Sequence, residues 1–322
     1  MEIFKSGNVY NFMAKRLPFL GLSGLLVIAS IVLLLTKGVN FGIDFAGGTI
    51  VQVKYEQKAP IKEIRNTLKK TEYGNASITE FGSPEEVVIR ITGSSSDLAN
   101  DIGDEMHQIL KSTGNFEVRR VDIVGPKVGG ELREKGLMAL GLSLLVILAY
   151  VSFRFEWRFA VASILALAHD VTIALGAIAL FGIEVNLDIL AAILTILGYS
   201  LNDTIIVFDR IREGVQTSKE SILDKVVNES VSRTLSRTTL TSLTTFFVVV
   251  TLFLFGGEII HGFAFTMLVG VIVGTYSSIF VAASFLVQLK FSITDFRAKE
   301  AEKLKRQKDK DKLRAMYEQG TV

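Results

Sequence analysis

The residues that offer chemistry here are ionisable side chains set where the surrounding sequence is apolar. Asp170, Asp188, Asp203 and Glu258 lie within or at the edges of long apolar stretches. Charge in such a stretch is costly and usually serves function. Asp188 and Glu258 fall near stretch ends, where water is close, and read as ordinary interfacial residues. Asp203 is the strongest candidate. Thr195, Tyr199 and Asp203 recur at i, i+4 and i+8 and form one polar face, with Gly198 and Asn202 alongside. Arg237, Thr241, Thr244 and Thr245 share a face of the following stretch at matching depth. At such a site desolvation and a nearby arginine act in opposite directions on a carboxyl's proton affinity. The chemistry on offer is therefore reversible proton binding near neutral pH. The structural alternative is a buried Asp203–Arg237 pair that only fixes helix register.

Asp170 continues a line of small residues, Ala162, Ala166 and Ala174, which lets a neighbouring helix approach and turns the carboxyl toward the bundle. Both a structural hydrogen bond and a functional role fit it. His169, next in the chain, points away by about 100° of helical rotation. Gly262, Thr266, Gly270, Gly274, Ser278 and Ala282 recur four residues apart, and Gly270 with Gly274 makes a small-xxx-small motif for close helix packing.

The composition says what must position these groups. Of 322 residues, 49% are hydrophobic and the mean hydropathy is +0.41, values that point to a membrane protein. The formal charge is +2 from 35 basic and 33 acidic residues, so no nucleic-acid partner is expected. Cysteine is absent, which excludes disulfides, thiolate nucleophiles and Cys-ligated metals. Three histidines, His107, His169 and His261, stand far apart, and no metal site is expected. The glycine-rich nucleotide-binding motifs and the G-x-S-x-G nucleophile motif are missing. Any work done must draw on a partner or an ion gradient.

Six stretches match the roughly 20 apolar residues that a bilayer core requires: 17–36, 136–153, 159–181, 187–208, about 238–257 and 261–289. The first reads as a retained anchor, being too long for a signal-peptide core. Lys15, Arg16, Arg154, Arg158, the cluster from Arg210 to Arg237 and the basic tail all fall on one side. The positive-inside rule then places both termini in the cytoplasm and residues 37–135 outside. The expected organisation is a cytoplasmic N-terminus (1–16), a first span (17–36), an exterior domain (37–135), a five-helix bundle (136–289) with a cytoplasmic link at 209–237, and a basic cytoplasmic tail (290–322).

Within the exterior segment, residues 49–56, 76–81, 86–92 and 116–124 read as strands. Residues 61–70 read as a helix, and Asp97 reads as the cap of a second helix reaching Leu110. That order, β-α-β-β-α-β, predicts a ferredoxin-like α+β domain. The fold class is a polytopic α-helical membrane protein, six helices split 1+5 around that domain. The nearly all-charged stretch 297–314 reads as a solvated helix.

Two motifs, Gly42-Ile-Asp-Phe-Ala-Gly-Gly48 and Gly198-Tyr-Ser-Leu-Asn-Asp-Thr204 running on to Val207-Phe-Asp-Arg-Ile-Arg-Glu213, give the chain a close resemblance to the SecF branch of the SecD/SecF family, within the RND transporter superfamily. Val124-Gly-Pro-Lys-Val-Gly129 and Ser236-Arg-Thr-Thr-Leu-Thr-Ser242 extend the likeness over nearly the whole chain. The resemblance implies a non-enzymatic subunit of the bacterial Sec export apparatus in the inner membrane. Such a subunit acts with a separate SecD beside the SecYEG channel, with YajC and YidC as further candidate partners. It uses the proton gradient, with no cofactor, to help move unfolded exported chains. The family's fourth-span Asp falls on Asp203 and its fifth-span Arg on Arg237. Gly42, Asp44, Gly47 and Gly48 match its first motif, where the glycines suit a tight turn or hinge. Two other readings are a passive assembly subunit and an RND-type proton/small-molecule antiporter.

Overall fold

The computed structural model describes residues 8–92 and 99–318. Among them six helices are long and apolar enough to cross a membrane, and a four-stranded sheet with two helices forms a separate domain between the first and second of these. After a short 3-10 turn, the chain runs through α1 (Arg16–Thr36), α2 (Ile43–Ala46), β1 (Gly48–Tyr55), α3 (Ile61–Leu68), β2 (Ser77–Phe81), β3 (Ser83–Thr92), α4 (Ala99–Leu110) and β4 (Phe116–Val124). The bundle follows as α5 (Pro126–Arg154), α6 (Trp157–Phe181), α7 (Leu187–Thr217), α8 (Leu223–Phe255), α9 (Gly257–Ser277), a π-helical turn (Ser278–Ala282), α10 (Ala283–Gln288) and α11 (Ile293–Glu318).

Several helices outrun the apolar stretches. Pro126 opens α5, the position where a missing N–H costs nothing, so the last residues of the expected exterior segment are already helix. The expected link 209–237 is mostly helical too, because α7 continues to Thr217 and α8 begins at Leu223. A bilayer limits only the apolar part of a helix, and backbone bonding carries on beyond it. Asp97 lies outside the described residues.

In the sheet domain the strand order is β2-β3-β1-β4 with every pair antiparallel, the ferredoxin-like arrangement. Strand β1 alternates as a half-buried strand must: Val51, Val53 and Tyr55 turn inward, while Lys54 is exposed. Ile64 and Leu68 of α3 and Met106 and Leu110 of α4 close that face, each essentially without exposure. Each such side chain contributes about 1.5–3 kcal/mol by leaving water. The last strand leads almost directly into α5, and the first follows the short α2 that comes after α1. Gly48 at the start of β1 pairs with Val124 at the end of β4, two residues before α5.

In the bundle, α6, α7 and α9 are the most enclosed helices, while α1, α5 and α8 expose apolar faces, with Phe153 95% and Phe255 82% exposed. Lipid is as apolar as leucine, so close contact rather than hydrophobicity must join the inner helices. Gly270 of α9 lies directly against Ile196 of α7. A Cβ on Gly274 would stand 3.1 Å from that of Ser200. At the end of the bundle that holds the termini, Phe159, Phe208 and Phe291 meet edge-to-face with centroids 5.1 Å apart in both contacts. Ile293 and Phe296 anchor the start of α11 there.

Candidate functional site

Asp203 sits on α7 with 1% of its surface exposed, facing α8. Its carboxylate accepts a hydrogen bond from Ser242 Oγ at 3.2 Å. On the same two helices three further hydroxyls, those of Tyr199, Thr204 and Thr238, are buried without a hydrogen-bond partner. Buried polar atoms are rarely left so. A carboxyl amid unmatched hydroxyls can gain or lose a proton and have its hydrogen bonds rearranged by neighbours already in place.

The expected ion pair with Arg237 does not form. Arg237 is exposed and makes no ion pair among the described residues. Five residues separate Arg237 from Ser242, a rotation of about 140° on a helix, so the two cannot face α7 together. Thr241 stands on the same open side, its hydroxyl donating to the carbonyls of Arg237 (3.1 Å) and Thr238 (2.9 Å). Thr244 and Thr245 likewise satisfy their hydroxyls on their own helix. On α7, Thr195 and Asn202 are exposed as well. The two helices run antiparallel, and the Asp203–Ser242 bond sets their register, which brings Asn202 and Thr241 to similar depth. Part of the polar face read from the sequence therefore lies on the outside of the bundle, and only Asp203 and the phenol of Tyr199 turn inward.

Asp170 is completely buried on α6. Its carboxylate accepts from Ser200 Oγ of α7 at 2.5 Å and Ser277 Oγ of α9 at 2.7 Å. His169 does not point away: its Nδ1 lies 2.8 Å from Asp170 Oδ1. Close packing around α6 encloses both residues and folds the imidazole back along the helix. Ser200 and Ser242 lie inside the motifs quoted above, yet neither they nor Ser277 carries a role legible in the sequence, because serine is common in membrane helices and nothing local marks which one meets a carboxyl.

The Gly42–Gly48 segment joins the Asp203 helix to the sheet domain. Gly42 N–H donates to Val185 C=O at 2.9 Å, and Val185 N–H donates to Asn40 C=O at 2.7 Å, a parallel bridge beside the start of α7. Asp44 Oδ2 accepts from the Leu187 N–H at 3.0 Å, placing a carboxylate at the positive end of α7. Asn186 caps the same helix by accepting from Ile189 N–H at 3.0 Å. Gly47 and Gly48 have φ of 77° and 153°. A Cβ on Gly47 would come within 2.8 Å of Pro126 Cα, and one on Gly48 would overlap the Ile91 carbonyl. Only glycine fits this turn, which is held between the starts of α5 and α7 and then becomes β1.

Comparison with known proteins gives these features a setting. The family model for the protein export membrane protein SecD/SecF, C-terminal, matches residues 105–292, and that for the SecD/SecF GG motif matches residues 32–59. The protein translocase subunit SecF of Helicobacter pylori is 46% identical over 323 residues, covering 100% of both chains. That of Escherichia coli O157:H7 is 42% identical over 284 residues, covering 87% of this chain and 88% of the relative. Among solved structures, SecDF from Thermus thermophilus, a translocon-associated membrane protein, superposes with a TM-score of 0.79 at 36% identity, over 89% of this chain and 40% of that one. SecDF in a super-membrane-facing form gives a TM-score of 0.70 at 36% identity, over 94% and 41%. The chain thus spans about two fifths of the SecDF chains it matches. The glycine turn that grips α7 lies in the matched GG motif, and the Asp203 helix lies in the matched membrane region. With likeness to SecF running the full length of the chain, it belongs to the SecD/SecF family of protein-export membrane proteins.

Proposed function

We propose that this chain is a subunit of a bacterial protein-export machine of the inner membrane, and that protonation of Asp203 is turned into movement of the sheet domain. The observation that carries this reading is the continuity of the Asp203 helix with that domain. The buried carboxyl stands on α7, the start of α7 is gripped by Asp44 and the Gly42–Val185 bridge, and that same turn runs into β1.

Protonating Asp203 removes a charge and converts an acceptor-only group into a donor. The hydrogen bond from Ser242 then loses its charge assistance, and Tyr199, Thr204 and Thr238 offer new partners. Each arrangement favours a different packing of α7 against α8, and the turn at Asp44 passes the difference to the sheet domain. A membrane potential contributes about 2.3 kcal/mol per charge per 100 mV, so a few protons bias such a two-state change by several kcal/mol. No covalent bond is made or broken. The protein works as a transducer, with the proton gradient in place of a cofactor.

Arg237 takes a different part from the one expected. A guanidinium on the open side of a spanning helix, one turn from Thr241, suits burial against another membrane chain better than contact with lipid. SecD fits that position, with the pair acting beside SecYEG and with YajC and YidC as further candidate associates. Basic residues at the end of the bundle bearing α11 support a cytoplasmic location for both termini. The exterior cleft supports the export reading over a small-molecule antiporter. It holds about 640 Å³, is wide open, and mixes Lys54, Glu56, Lys111, Glu117 and Arg119 with Tyr55, His107 and Phe116. A small-molecule site would be enclosed enough to bury most of its ligand.

The test replaces the chain by its Asp203→Asn variant at matched membrane levels and follows unprocessed secretory precursors after a pulse label. Precursors accumulate while the variant still co-purifies with SecD. Normal export would reduce the chain to an assembly subunit.

A further inference from the structure

We propose that His169 and Asp170 form a second proton-carrying pair, reached through a cleft between α1, α6 and α10 and tied by Ser200 to the helix that carries Asp203. It rests on the proton-coupled reading above and assigns that reading a second site.

The geometry is a carboxylate supplied with three donors from three helices: His169 Nδ1 at 2.8 Å on α6, Ser200 Oγ at 2.5 Å on α7 and Ser277 Oγ at 2.7 Å on α9. Three bonds from three helices make this carboxyl a junction whose hydrogen bonds bear on the packing of α6, α7 and α9 together. While Asp170 is a carboxylate, Nδ1 must donate to it, which fixes the imidazole tautomer and leaves Nε2 with a free lone pair. That nitrogen is buried and has no hydrogen-bond partner. The ring itself lines a largely apolar cleft of about 400 Å³, walled by Leu20, Val27, Leu165 and Phe285, with Ser23 of α1, Thr172 of α6 and Gln288 of α10 as its polar groups. Gln288 is the last residue of α10, so the cleft reaches the end of the bundle where the termini lie.

The transfer balances without any other reactant. When the imidazole swings its Nε2 into the cleft, a proton from water entering there binds Nε2, and the proton on Nδ1 passes to Asp170 Oδ1. A neutral imidazole of the opposite tautomer and a neutral carboxyl remain. The reverse sequence returns the proton to the cleft. A neutral Asp170 holds Ser200 and Ser277 less strongly. Ser277 immediately precedes the π-helical turn Ser278–Ala282, a type of irregularity that often marks functional sites in helices.

The other groups facing the pair are few. Tyr276 of α9 has its ring centroid 6.3 Å from that of His169, and its hydroxyl is bonded to Ser23 Oγ and the Phe19 carbonyl of α1. On α7, Asp203 follows Ser200 by three residues. Beyond Arg16, α1 carries no charged residue. None occurs in α10, nor in α5 between Gly136 and Phe153.

The test uses the full chain in lipid nanodiscs and infrared difference spectra between acidic and alkaline buffer. Against the broad band of the exposed carboxyls, two narrower carboxylic-acid carbonyl components are expected, one lost in Asp170→Asn and the other in Asp203→Asn. His169→Gln slows deuteration of the Asp170 component by about a hundredfold and leaves that of Asp203 unchanged. If Asp203→Asn removes a component and Asp170→Asn removes none, the pair is a static network and the proposal falls while the Asp203 reading stands. If neither removes one, both fall. Should Asp170→Asn fail to fold, Ser277→Ala retains the carboxyl and must shift the frequency of its component. An unshifted spectrum in that variant overturns the proposal.

Discussion

Replacing Asp44 by alanine tests the connection between α7 and the sheet domain. The first turn of a helix has N–H groups with no partner inside the helix. On α7, Asn186 satisfies that of Ile189 and Asp44 satisfies that of Leu187, both at 3.0 Å. Removing a side-chain cap costs about 1 kcal/mol, and removing the negative charge from the helix start adds about 0.3–1 kcal/mol. The backbone bridge between Gly42 and Val185 survives the change, so the chain keeps its fold. The expected local loss is about 1–2 kcal/mol, a factor of roughly 5–30 in the opening equilibrium. Hydrogen exchange of the full chain in nanodiscs reads this directly, as a drop of that size in protection at amides 187–190. Asp44→Asn keeps an acceptor and recovers most of the protection. In the same assay, Asp203→Asn alters exchange in β1, and adding Asp44→Ala diminishes that response. Unchanged protection at 187–190 in Asp44→Ala would refute the idea that this carboxylate grips α7. A β1 response that persists in full would refute its role in transmission.

Two further perturbations probe the packing that the site depends on. Gly270→Leu drives a side chain into Ile196, an overpacking that costs about 1–3 kcal/mol, visible as a lower melting temperature in detergent. Adding Ile196→Ala restores much of the loss, whereas simple additivity of the two changes would show that α7 and α9 do not meet there. Arg297 donates to the carbonyls of Val215 (2.7 Å), Ser218 (2.6 Å) and Glu220 (3.0 Å), and so fastens α11 to the end of α7. Arg297→Ala removes charge-assisted bonds worth about 1.5–3 kcal/mol each at most. Trypsin then cuts the tail faster while the membrane helices stay resistant, and an unchanged cleavage rate would count against the fastening.

The amino-acid sequence on its own determined the number of apolar helices and the ferredoxin-like order of the sheet domain. Each follows from local information: an apolar run long enough for a bilayer and the two-residue period of β1. It also marked Gly47 and Gly48, because glycines at a helix-to-strand turn announce a backbone that no other residue adopts. The azimuths of the helices were decided only by the tertiary structure. Ser242 is level with Asp203, whereas Arg237, five residues away on α8, lies about 7.5 Å along the helix and about 140° around it, outside the bundle. His169 and Asp170 are neighbours that ideal helical geometry points apart and close packing brings together. The bonds that matter most for transmission cross long separations, 143 residues from Asp44 to Leu187 and 107 from Asp170 to Ser277. Pattern along a chain reports which face of a helix is polar. Which other face it meets depends on how all the helices pack at once.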